Sequence, residues 1–346
     1  MNTLFEKHQL NQSITLNNRI VMAPLTRCFA DEKLVPTQLI ADYYARRADV
    51  GLIVSEATII EPRGQGYPNT PGIYSKAQIK GWKLTTKAVH ANGGKIFCQL
   101  WHTGRVAHSV YTGKQPVAPS EVSWHGRVPR TENLEYEMPR ELSTKEVKRL
   151  IKTYVKAAKN AMEAGFDGVE IHGANGYLVD QFLRQQTNKR DDKYGGSSKK
   201  RIRFALQVID EISKVIGADK TAVRLSPQAY VHLDYSKGDE KTYKKLLKKL
   251  NKRTIAYVHL GAFSDHYTFD YLGNRKASEF IRHYYKGTFI SCGSYTFESA
   301  ADAIKNSDCD LVAIGRPLIA NPDYIEKVKN NQALVEYDMA ILTKLI

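Results

Sequence analysis

The feature that most restricts what this chain can fold into is an alternation. Short runs rich in Val and Ile recur at 19–23, 51–55, 95–100, 168–172, 222–225, 256–260, 288–292 and 311–314. Most are followed by a turn and then a segment of helical periodicity, near 37–49, 77–92, 144–164, 199–216, 239–252, 276–285, 297–306 and 322–330. Runs that are apolar throughout suit strands buried on both faces, the condition of a parallel sheet covered by helices. Eight such units in 346 residues, with no long Pro/Ser linker, favour one domain over 1–346, an α/β fold of the closed (β/α)8 TIM-barrel kind. An open doubly wound sheet would carry a Gly-rich dinucleotide turn after its first strand. Here "PLTRCF" follows that strand, and G-x-G-x-x-G occurs nowhere.

Lys plus Arg number 51 against 36 Asp plus Glu, a net charge of +15 that raises the question of a nucleic-acid or membrane partner. The distribution argues against one. In "KTYKKLLKKLNKR" the lysines alternate with Tyr243, Leu246, Leu247 and Leu250, the pattern of a helix with one buried stripe and one solvated face. No nucleic-acid-binding motif accompanies the charge. The N-terminus lacks a basic region followed by an apolar run, and nowhere do eighteen apolar residues run together, so a cytoplasmic protein is expected. Cys28, Cys98, Cys292 and Cys309 are scattered without C-x-x-C or zinc spacing, which signals neither a disulfide framework nor a metal site.

One connection is too long for a simple loop. Between the third strand and the third helix, residues 102–142, an excursion is expected to reach hairpin-like over the barrel mouth. In a (β/α)8 barrel the chemistry sits at the C-terminal ends of the strands, and those ends are polar almost throughout. Pro24-Leu25-Thr26 follows the first run, Glu56-Ala57-Thr58 the second, and Gln99 then Trp101-His102 close the third. The fourth delivers His172, Asn175 and Tyr177, the fifth ends in Arg224, and the last two end in Gly293-Ser294 and Gly315-Arg316.

The glycine loops after the seventh and eighth strands stand where barrels bind phosphate, and Thr296 is an N-cap candidate for the following helix. A phosphorylated ligand is the first chemical inference. Gln99 both donates and accepts, Thr26 carries a hydroxyl and Arg224 is permanently positive, an assortment suited to the edge of a planar heterocycle such as a flavin. An arginine there would stabilise the negative charge that develops on reduction.

The stretches "NRIVMAPLTR", "GLIVSEAT", "CQLWHTGR", "VEIHGANGYLVDQFL", "NKRDDKYGGS" and "AIGRPLIANPD" resemble, in order and spacing, the Old Yellow Enzyme family of FMN-dependent ene-reductases. The resemblance implies non-covalent FMN, NADPH or NADH as reductant, and reduction of electron-poor alkenes such as α,β-unsaturated carbonyl compounds. Carried over, it puts Pro24, Leu25 and Thr26 along the flavin, Ala57 at its edge, Gln99 at the pyrimidine and Arg224 at the N1/C2 side. Gly293, Ser294, Gly315 and Arg316 would hold the phosphate, and Tyr67 and Trp101 would wall the substrate pocket. His172 and Asn175 would polarise a substrate carbonyl, and Tyr177 would supply the proton that accompanies hydride transfer.

Two features depart from the family pattern. The tail "NNQALVEYDMAILTKLI" lacks the Tyr-Thr-Asp-Tyr-Pro sequence of many members, which leaves Tyr324 and Tyr337 without a role, and the connection between the fifth and sixth strands is short. Alternative readings are a related barrel flavin reductase acting on nitro compounds or quinones, and a basic barrel scaffold without activity. The larger dienoyl-CoA reductases would need clustered cysteines that this chain lacks. Monomer and homodimer are both compatible with the sequence.

Overall fold

The computed structural model describes residues 3–346. Eight parallel strands close on themselves: β1 (Ile20–Met22), β2 (Leu52–Val54), β3 (Ile96–Trp101), β4 (Gly168–Gly173), β5 (Thr221–Leu225), β6 (Val258–Leu260), β7 (Phe289–Cys292) and β8 (Leu311–Ile314). Neighbours in the chain are neighbours in the sheet, β8 pairs with β1, and a short extra strand, Thr58–Ile59, pairs with the end of β3. The ring is a (β/α)8 barrel, as the spacing of apolar runs implied.

Among the described residues eight helices form the outer layer: α1 (Gln38–Ala45), α2 (Lys76–Ala91), α3 (Thr144–Glu163), α4 (Arg203–Ile216), α5 (Asp239–Leu250), α6 (Ala277–Tyr284), α7 (Phe297–Lys305) and α8 (Tyr324–Lys329). Local chemistry fixes their starts. Ser75 with Gln78 and Ser143 with Glu146 form reciprocal capping boxes for α2 and α3, and the Thr296 hydroxyl accepts from the Ser299 amide to begin α7. α3 buries Val147, Leu150, Ile151, Tyr154, Ala157, Ala158 and Ala161, the spacing of one helical face. α5 buries Thr242, Tyr243, Leu246, Leu247 and Leu250, and its lysines occupy the other face. The segment expected as one helix over 199–216 breaks at Ile202, where the buried Arg201 ties the first turn, Ser198–Arg201, to the Leu183 carbonyl and the Thr242 hydroxyl.

Side chains alternate across each strand, so every second residue points into the lumen. The lower lumen is apolar: Val21, Leu52, Val54, Phe97, Ala222, Tyr257, Ile290 and Leu311 pack together. The N-terminal ribbon His8–Gln9 with Thr15–Leu16 adds Leu10, Ile14 and Leu16 to this cluster. Packing there is tight enough that a Cβ on Gly168 would come within 2.5 Å of the Phe97 ring. One step further up the same strands the apolar rule fails, and polar side chains begin.

The excursion after β3 lies over the mouth, but its base is not a hairpin. Val117–Ala118 pairs in parallel with Arg140–Glu141, and antiparallel character is confined to the tip, where Arg127 bridges Glu135. Entry and exit therefore run the same way, with the antiparallel tip between them. The excursion is tied down by Arg130, which donates to the Thr26 and Arg27 carbonyls. Trp124 and Tyr136 pack edge-on against His232.

Candidate active site

A cavity of about 620 Å3 opens at the C-terminal end of the barrel. Pro24 and Leu25 after β1, Asn175 after β4, Arg224 on β5, Ser294 after β7, and Gly315 with Arg316 after β8 all line it. Thus seven of the residues expected to touch cofactor or substrate share one cavity. Thr26, Ala57, Gln99 and Gly293 do not line it directly. His172, Tyr177, Tyr67 and Trp101 form a separate aromatic cluster at the same mouth.

At one end of the cavity Arg316 donates to the Ser294 hydroxyl at 2.9 Å, and Ser294 in turn donates to the Phe263 carbonyl at 2.7 Å. Gly293 has φ 150° and Ser294 φ 60°. A Cβ on Gly293 would lie 2.5 Å from the Asp265 amide nitrogen, so this turn requires glycine. At Gly315 the nearest atom to an added Cβ is Leu25 Cδ2 at 3.6 Å, which leaves backbone bare beside a cation. A guanidinium, a hydroxyl and open backbone together suit an anionic group.

The loop after β1 is held from below. The Glu56 carboxylate accepts from the Arg27 amide at 3.0 Å and the Cys28 amide at 3.1 Å, fixing the segment that carries Thr26. Cys28 takes φ 63° as the chain turns there. Burial pushes the Glu56 carboxyl up to about 7, even though the two amides favour its charged form. The sequence showed Glu56 at a strand end without giving it a task; a carboxylate next to an apolar run was the available signal.

In the middle of the site Arg224 is 7% exposed, and its Nε has no hydrogen-bond partner; Asn175 Oδ1 is likewise buried and unpartnered. Buried polar atoms without partners are costly, and two on one cavity wall mark the place of a ligand. Asn175 is poised by its own backbone, with φ 59° and its amide donating to Ser226 Oγ at 2.9 Å. Gly176 follows at φ 76°, and Tyr177 then caps the short helix Leu178–Leu183.

His172 Nδ1 accepts from the Ala174 amide at 3.4 Å, which leaves the ring proton on Nε2. Burial, aided by the Arg224 charge, holds this imidazole down to about 3, so it is a neutral donor. Its ring lies 4.9 Å from Tyr177, edge to face, and 6.5 Å from Trp101. The Tyr177 and Tyr67 hydroxyl oxygens are 2.6 Å apart, and Trp101 packs against both rings. His232 joins the cluster 5.5 Å from Tyr177, a neighbour that sequence reasoning did not single out.

The tail has a position as well. Leu334, Val335, Glu336 and Tyr337 form one wall of the cavity. The buried Asn321 side chain donates to the Val335 carbonyl and accepts its amide, pinning the strap in both directions. Further along, Arg27 binds the Ile341 and Lys344 carbonyls and Arg47 binds that of Ile346.

A family model, the NADH:flavin oxidoreductase / NADH oxidase family, matches residues 3–334. The chain belongs to this family. Rice (Oryza sativa subsp. japonica) 12-oxophytodienoate reductase 7 is 40% identical over 355 residues, covering 96% of this chain and 89% of the relative. The solved Old Yellow Enzyme homologue from Zymomonas mobilis superposes with a TM-score of 0.91 at 39% identity, covering 98% of this chain and 96% of the other. Morphinone reductase, solved with tetrahydroNAD, gives 0.90 at 40% identity over 98% and 93% of the two chains. This Old Yellow Enzyme family member is therefore an NAD(P)H-dependent flavin oxidoreductase of the ene-reductase type. Among the described residues no helix is long and apolar enough to cross a membrane, and all four cysteines are free thiols.

Proposed function

We propose that the chain is a single FMN-binding barrel that reduces the activated C=C bond of α,β-unsaturated carbonyl compounds, with NADPH or NADH as reductant. The observation that carries this reading is the meeting, at one barrel mouth, of an anion-ready end and a set of neutral donors. Ser294 and Arg316 make the first, and His172, Asn175 and Tyr177 make the second. The unpartnered Arg224 Nε between them fits the polar edge of a flavin.

In this reading Gly293, Ser294, Gly315 and Arg316 hold the phosphate, Pro24, Leu25 and Thr26 lie along the ring, and Ala57, Gln99 and Arg224 meet its edges. The flavin, when bound and reduced, supplies a hydride to the β-carbon of the alkene. His172 Nε2–H and the Asn175 amide donate to the substrate oxygen, which gains charge as hydride arrives, so they hold the transition state more strongly than the ground state. Tyr177 gives a proton to the α-carbon. Burial keeps its pKa well above the usual phenol value, so the proton is in place at any physiological pH. Tyr67 and Trp101 wall the substrate against water. Relatives named for reduction of 12-oxophytodienoate and of morphinone support the substrate class, and four free thiols suit a reducing, cytoplasmic setting.

A substrate panel on the yellow holoprotein tests the proposal. Stoichiometric NAD(P)H oxidation and saturated product with electron-poor alkenes are expected. Turnover of nitro compounds or quinones alone would point to the other reductase reading.

A further inference from the structure

Two fully buried ionisable side chains in the lumen have no part in the roles above. Glu170 on β4 accepts from Gln99 Nε2 on β3 at 2.7 Å, and its other oxygen meets His259 Nδ1 on β6 at 2.8 Å. Both side chains of the Glu170–His259 pair are 0% exposed. Barrel lumens are ordinarily filled by branched apolar residues, as this one is a layer below. A buried ion pair is a poor way to gain stability, since its desolvation offsets most of the attraction. The pair therefore calls for a reason other than packing.

Its surroundings supply one. A carboxylate only accepts hydrogen bonds, so Glu170 dictates which end of the Gln99 amide faces it and turns the Gln99 oxygen away. That oxygen accepts no hydrogen bond among the described residues. Gln99, which by sequence could present either end, is thus set with its acceptor free. On the other side His259 is the register partner of Arg224 on β5, and Arg224 Nη2 lies 3.9 Å from Cys292 Sγ. Burial alone would neutralise both members of the pair. Their mutual attraction overcomes it, lowering the Glu170 pKa and raising that of His259.

We propose that Glu170 and His259 are positioning residues for the flavin, a carboxylate–imidazolium pair that fixes the Gln99 amide and sets the electrostatic potential beneath the Arg224 edge of the site. The inference rests on the flavin reading above. Because the pair is neutral overall, it leaves the Arg224 charge undiminished. Removing the His259 charge alone exposes a bare carboxylate next to Arg224, which opposes the gain of electrons by a flavin at that edge. Removing both charges restores neutrality.

The test uses FMN-loaded wild type, His259→Asn, Glu170→Gln and the double variant. Asn keeps a neutral donor where Nδ1 was. Midpoint potentials are read anaerobically against a reference dye, and FMN affinity by the fluorescence of released flavin. His259→Asn is expected to shift the reduced-to-oxidised ratio at least tenfold toward oxidised, about 30 mV for two electrons. The double variant is expected to return to within roughly twofold of wild type, because the charge change cancels. Glu170→Gln, which frees the Gln99 amide to turn, is expected to raise the FMN Kd about tenfold. A shift below tenfold in His259→Asn, or a double variant that stays with it, overturns the proposal. Should the variants not fold, neutron diffraction on wild type decides: deuterium on both His259 nitrogens supports the pair, and a single deuterium overturns it. Wild type that binds no FMN sinks the flavin reading itself, and the neutron result still stands as a separate test of the pair.

Discussion

The hydroxyl oxygens of Tyr67 and Tyr177 lie 2.6 Å apart, closer to each other than to any other side chain's hydrogen-bonding atom. Burial raises the pKa of both phenols, so both are protonated and one O–H donates to the other oxygen. In the proposed step Tyr177 gives its proton to substrate, and Tyr67, 2.6 Å away, would turn its own O–H toward the new phenolate. Tyr177→Phe should slow reoxidation by an enone by a factor of about 100 or more while sparing reduction by NAD(P)H. Tyr67→Phe should slow the same step about tenfold, the loss of one charge-assisted hydrogen bond. Stopped-flow traces of the two half-reactions read this directly, and equal reoxidation rates in Tyr177→Phe and wild type would remove Tyr177 from the proton-donor role.

His172 and Asn175 are expected to bind the oxygen of phenol-like ligands, which imitate the charged oxygen of the reacting substrate. Replacing both by Ala should weaken phenol binding by at least about tenfold, measured by titrating the visible spectrum of the holoenzyme. Unchanged affinity would make the two residues structural.

Glu56 makes stability depend on pH in an unusual direction. Its carboxyl is raised from 4.5 to about 7 by burial, so between those values the folded chain holds a proton that the unfolded chain has released. Its contribution to stability therefore falls as pH rises through that window, by up to about 3 kcal/mol. Glu56→Gln should gain on wild type between pH 5 and pH 8 in chemical denaturation. A difference between the two proteins that does not change with pH contradicts the assignment. His172 acts with the opposite sign: held down to about 3, it costs stability as pH falls below 6.5.

The strap wall is tested at Asn321. Asn321→Ala removes both hydrogen bonds to Val335 and should destabilise the protein by about 2 kcal/mol. Because residues 334–337 line the cavity, FMN should also dissociate several-fold faster than from wild type. Flavin fluorescence after dilution measures it, and an unchanged off-rate would separate the strap from cofactor retention.

The barrel was legible because every strand is buried on both faces and so reads as an unbroken apolar run. Each of the eight runs overlaps a strand, and 311–314 coincides with one. Strand ends were legible for the same reason: polarity resumes where the lumen opens, which exposed Gln99, His172 and Arg224. What escaped were residues whose role depends on partners distant in the chain. Glu170 lies in the middle of an apolar run and His259 follows a buried valine, and only β-sheet register brings them together across β5. The parallel base of the excursion and the Asn321–Val335 pin are likewise tertiary. Neither leaves a local period for the sequence to show.

The proposed reaction is flavin-mediated transfer of hydride from a nicotinamide to an activated alkene. It is tested most directly by mixing the yellow holoprotein with NADPH or NADH without oxygen and then adding cyclohexenone, following the visible band throughout. Bleaching by the nicotinamide is expected, followed by return of the yellow colour with saturated ketone formed in equal amount. A flavin that stays yellow with both nicotinamides, or stays bleached when the enone is added, would contradict it.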